Sequence, residues 1–154
     1  MAIFGKPLSE YFAFGRVFFI LVPLVGILRL GLSLQGVPQS SVRWISMTAV
    51  ASLGVIYFAI RVHTTGFGSY KQLLVLIAIQ TTLAQVVAGI AILLTIFTGI
   101  ENIYSAPEYS LSNQWAHFAV HVLLGPIIGS LSTWAVACLI LAITRKVSRQ
   151  EPSV

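Results

Sequence analysis

Apolar residues run along this chain in four long blocks, and polar residues fall mostly between them. The blocks are Tyr11 to Leu34, Ser41 to Ile60, Leu73 to Gly99 and Trp115 to Thr144, each of 20 residues or more. A helix rises about 1.5 Å per residue, so about 20 residues cross a hydrocarbon layer of about 30 Å. None of the blocks alternates polar and apolar positions in the short runs of an outer-membrane barrel. In lipid, a helix satisfies its own backbone hydrogen bonds. The pattern therefore predicts an all-α fold, an integral membrane four-helix antiparallel bundle in a single domain. Its spans cover about 11–34, 41–60, 73–99 and 115–144, with a long connection over 101–114.

The breaks support these boundaries. Gly36 and Pro38 end the first block. The stretch VHTTGFGSYK, with two glycines, allows a tight reversal between the second and third. The connection ENIYSAPEYSLSNQ is acidic and aromatic, and Pro107 excludes a regular helix through it.

Composition reinforces the pattern. The chain is 57% hydrophobic and 8% charged, against about 25% charged in soluble domains. The first block lacks a small-x-small cleavage site and is read as a retained span rather than a secretory leader. The single cysteine, Cys138, excludes an intramolecular disulfide and reads as a small packing residue.

Charge sets the expected orientation. Four spans place the N-terminus, the second connection and the C-terminus on one side. That side carries Lys6, Arg16, Arg61, Lys71, Arg145, Lys146 and Arg149, whereas the other carries Arg29 and Arg43. The bias predicts both termini in the cytoplasm, in a bacterial inner membrane. The net charge of +5 reflects this asymmetry. Nothing interleaves aromatic and basic residues as a nucleic-acid surface would, so the expected partner is the bilayer.

Two faces carry the candidate chemistry. His117, His121, Gly125, Gly129 and Thr133 recur at steps of four along the fourth span. Thr81, Gln85, Ala88 and Gly89 share a face of the third. Membrane helices associate through small residues and interhelical hydrogen bonds, so the Thr81/Gln85/Gly89 face is expected to pack against the Gly125/Gly129/Thr133 face. Pro126 cannot donate to the carbonyl of Val122, and a bend or loosening is expected there.

Counted back from Thr144, the two histidines fall near the outer headgroup layer; a tilted helix would draw them inward. An outer cluster of Arg29, His117, His121, Thr95 and Glu101 is possible. It could take a divalent metal on His117, His121, Glu101 and Glu108. It could also take haem b through one axial imidazole, or a quinone held by His and Thr. The structural alternative is that the imidazoles bond neighbouring helices.

Absences narrow the function. The chain has no aspartate, no HExxH and no Ser-His-Asp set, and no span carries Asp, Glu or Lys between its ends. That argues against a coupled transporter and a standard hydrolase. The leading expectation is a non-enzymatic structural or accessory subunit of a membrane complex or a homo-oligomer. A redox or ligand-binding module with its site at the outer face is the rival. A passive pore formed on oligomerisation, lined by Thr81, Gln85 and Thr133, is the third.

Overall fold

The structure, a computed structural model, describes residues 2–105 and 113–148. Its frame is helical, and four helical stretches are long and apolar enough to cross a membrane. A two-residue hairpin, β1 (Ala2–Ile3) and β2 (Lys6–Pro7), precedes α1 (Leu8–Leu34). A short α2 (Gln39–Val42) leads into α3 (Met47–Thr64), followed by α4 (Tyr70–Thr98). The last stretch is continuous from Gln114 to Ser148. It comprises α5 (Gln114–Ala119), a π-helix (Val120–Gly129) and α6 (Ser130–Ser148).

Local chemistry sets the ends. The expected second span, 41–60, is interrupted: α2 stops at Val42 and α3 restarts at Met47 because the Ser46 hydroxyl accepts from Ala49 N–H as its cap. Ser69 and Gln72 form a reciprocal capping box at the start of α4, and Gly99, at φ 71°, closes its end in the left-handed region. Asn113 caps α5 through its side-chain oxygen. The hairpin was not legible as an element. Phe4 and Gly5 both take positive φ, as a tight two-residue turn requires. Tyr11 Oη donates to Ile3 O and Gln72 Nε2 to Phe4 O, which tie the hairpin across the bundle end.

Helix α4 packs against every other long helix, while α3 packs against α1 and α6. The resulting ring runs α1, α3, α6, α4. Lys71 lies over the Phe4 ring and Arg145 over the Tyr70 ring, so both ends of the described chain meet at one end of the bundle. The half nearest that end is filled by rings and branched chains: Tyr11, Phe19, Phe58, Leu73, Leu76 and Leu141, with Phe14, Phe18 and Phe67 against them.

Candidate functional site

The opposite half of the bundle is built differently. Its buried residues include Gln80, Thr95, Asn102, Ser105, His117 and Ser130. Between α3, α4 and the last helix lies a cavity of about 390 Å³, within the usual range of small-molecule sites. Its polar walls are Thr48 and Ser52 of α3, Gln80, Thr81 and Gln85 of α4, His121 of the π-helix, and Thr133 of α6. Tyr104, from the connection after α4, also lines it. Among the described residues no Asp, Glu, Lys or Arg lines it.

Helix geometry explains the cavity. The π-helix packs on α4, while α6 packs on both α3 and α4. Pro126 lies inside the π-helix. The expected bend or loosening takes the form of a ten-residue segment in the wider i→i+5 register. A proline that offers no N–H makes the tighter ladder discontinuous at that point.

Glycines let α4 side chains lie flat on the neighbouring backbones. A Cβ on Gly125 would meet Gln85 Cδ at 2.6 Å, and one on Gly129 would meet Thr81 Cγ2 at 3.1 Å. Gly89 lies against Phe118 and Val122. Gln80 Nε2 donates to Ala51 O at 2.9 Å, while its Oε1 presses on Gly54. The amide thus clamps α4 to α3 on the cavity floor.

The histidines belong to this site. His121 Nδ1 is bonded to Gln85 Oε1 at 2.5 Å, and His121 Nε2 to His117 Nε2 at 3.1 Å. His117 is buried, and its Nδ1 has no partner among the described residues. Gln85 Nε2 makes no hydrogen bond among the described residues. Depth is a correction. Gln85 lies about midway along α4, roughly 20 Å from either end by helical rise, so the dyad sits at mid-height of the bundle. The count from Thr144 misjudged this because α6 overhangs: Trp134 Nε1 already donates to Tyr70 O, at the start of α4.

The other residues expected in the outer cluster have these surroundings. Thr95 is engaged with Ser105 Oγ at 2.7 Å and with Asn102 Nδ2 at 2.9 Å, holding the connection down on α4. Glu101 lines a separate small cavity with Ser33, Val37 and Gln39. Arg29 lies near Tyr104: burial raises the Tyr104 phenol above its ordinary range, and the Arg29 guanidinium pulls it back down. Tyr104 Oη donates to Gly26 O. Glu108 lies outside the described residues. Among the described residues no three His, Cys, Asp or Glu side chains gather to hold a metal.

Sequence reading did not join Gln85 to His121, nor include Thr48, Ser52 or Tyr104. The signal for the first was present. If Gly125 faces Gln85 and Gly129 faces Thr81 in antiparallel helices, the same register carries His121 to Gly89, one turn from Gln85.

Comparison with protein-family models, with curated proteins and with solved structures finds no match to this chain.

Proposed function

We propose that this is a non-enzymatic accessory protein of the bacterial inner membrane. In this reading both termini are cytoplasmic, and the mid-height cavity holds a neutral, lipid-soluble ligand. The observation that carries the reading is a largely apolar cavity with a few uncharged polar groups converging on it, and with no charged side chain among its described lining residues, inside a chain whose helices are otherwise apolar. Polar groups at this depth are costly unless bonded, and ionisable residues within membrane spans are functional by default. The basic bias of the terminal end supports the orientation.

The wall specifies the ligand's head group. Thr48, Thr81, Thr133 and the Gln85 amide offer hydrogen bonds without net charge, so the head group is neutral and carries oxygen. A ring or chain remaining in the lipid would supply affinity through apolar contact. Quinones fit this description. Haem b draws less support: His121 has both ring nitrogens bonded, and His117 is buried beside it. Gly125 and Gly129 contact side chains of their own chain, so a homo-oligomer would need another face. Thr81, Gln85 and Thr133 line the cavity within one chain, so they do not need an oligomer to face a common space.

The test is an oxidised and a reduced optical spectrum of protein purified in mild detergent. Organic extraction and mass spectrometry of the same sample follow. A neutral lipid-soluble compound at about one per chain is expected. A Soret band, a stoichiometric metal, or an extract holding only bulk phospholipid would contradict the reading.

A further inference from the structure

The bonds that link Gln85, His121 and His117 can run in either of two directions, and, resting on the ligand reading above, that choice bears on the ligand class. A neutral imidazole carries one N–H and one lone pair, so fixing one bond fixes the rest. In the first arrangement Gln85 Oε1 accepts from His121 Nδ1–H, and His121 Nε2 accepts from His117 Nε2–H. His117 Nδ1 is then a bare lone pair, and Gln85 has its amide N–H groups left for the cavity. In the second, the amide is turned by half a revolution. Gln85 Nε2–H donates to His121 Nδ1, and His121 Nε2–H donates to His117 Nε2. His117 Nδ1 then carries a hydrogen, and Gln85 has its carbonyl oxygen left for the cavity. Amide oxygen and nitrogen are nearly equal in size, and tautomer and amide orientation are not fixed by heavy-atom positions.

Two features leave both arrangements open. The free end, His117 Nδ1, is buried and has no partner among the described residues, so none of their donors or acceptors pins the chain in one direction. At the other end the Gln85 amide lies against Gly125, where any Cβ would crowd Cδ. Reversal balances in protons and moves no electrons. Because His117 Nδ1 is buried in the closed bundle, the exchange runs through transient local opening: water then gives one proton to His117 Nδ1, the proton on His117 Nε2 crosses to His121 Nε2, and His121 Nδ1 returns one to water.

We infer that the Gln85–His121–His117 chain is a reversible polarity switch that lets the cavity bind both members of a carbonyl/hydroxyl pair, a neutral quinone and its quinol. The N–H arrangement meets a quinone carbonyl; the C=O arrangement meets a quinol hydroxyl. A wall fixed in one polarity would reject the other member, because a buried polar group left unpaired is costly.

The experiment uses full-length protein in lipid nanodiscs, labelled with ¹⁵N-histidine. The probe is decylbenzoquinone, or the same compound reduced to its quinol before addition. Equilibrium binding and imidazole ¹⁵N shifts are read for each. Both forms should bind within about tenfold of each other, with His117 Nδ1 bare beside the quinone and protonated beside the quinol. Gln85→Met should weaken both forms by about tenfold or more. If both forms bind and the tautomers do not change, the switch is wrong and the ligand site stands. If one form is preferred by more than about a hundredfold, the wall has a fixed polarity and the switch is again wrong. If binding is indifferent to Gln85→Met, the probe sits elsewhere and the inference falls. If neither form binds, the quinone assignment falls with it, and only the extracted compound can keep the broader ligand reading.

Discussion

The two halves of this bundle use the same four helices for opposite purposes. In the half near the termini, Phe58 is fully buried among Phe14, Phe18 and Phe19, with Leu73, Leu76 and Leu141 completing a closed apolar core. In the other half the corresponding layers hold Gln80, Thr81, Gln85, His121 and Thr133 around open volume. In the proposed membrane setting lipid tails are as apolar as leucine, so burial from water would not explain either half. Dense packing stabilises the first, because each buried ring keeps many close contacts. Glycine-seated amides and hydrogen bonds hold the second. Stability should therefore be concentrated in one half and ligand binding in the other.

The largest expected effect comes from breaking the packed half. Phe58→Ala should lower unfolding free energy by about 3 kcal/mol, measured by denaturant titration in mixed micelles, while bound ligand per folded chain stays unchanged. Gly54→Ala tests the boundary between the halves. Its Cβ would run into Gln80 Oε1, and overpacking of this kind costs about 1–3 kcal/mol. Gln80→Ala in the same chain should recover part of that loss in the same titration, because the clashing amide is gone.

His121→Leu should cost less than about 1 kcal/mol, the usual scale of an interhelical hydrogen bond in a membrane protein, yet abolish ligand retention on purification. Thr133→Val is the mildest change. It removes one hydroxyl from the wall, and stability should move by less than about 0.5 kcal/mol while ligand affinity falls by a few-fold in equilibrium binding. A Phe58→Ala protein that folds normally, or a His121→Leu protein that unfolds, would reverse the assignment of the two halves.

The four helices were legible because their apolar blocks are long and uninterrupted, a signal that needs no tertiary information. The hairpin at Phe4 and Gly5 was not, because two residues on either side of a turn carry too little pattern, and the contacts to Tyr11 and Gln72 stabilise it. The interruption at 43–46 was hidden inside an apolar run; only the Ser46 cap marks it. Pro126 announced a disturbance, but not that the wider register would extend over ten residues.

At the site, residue types were legible and depth was not. His117 and His121 stood out as imidazoles in an apolar block, and Thr81, Gln85, Gly125 and Gly129 as a small polar face. Their height along the bundle depends on how far α6 slides past α4, which the Trp134 bond to Tyr70 sets. Without that contact the histidines were assigned towards Glu101 and Arg29 rather than to Gln85. Thr48 and Ser52 gave no signal at all, since hydroxyls on an apolar helix commonly bond their own backbone, as Ser52 does to Thr48 O.

The most direct test is the amount of neutral lipid-soluble compound carried per folded chain in Gln85→Met compared with Phe58→Ala, each purified beside the unaltered protein. Gln85→Met should lose no more than about 1 kcal/mol of stability and be empty. Phe58→Ala should be destabilised and, where folded, loaded at about one compound per chain. Retention of the same compound by Gln85→Met would contradict the central claim, because the cavity wall at mid-height would then have no part in holding it.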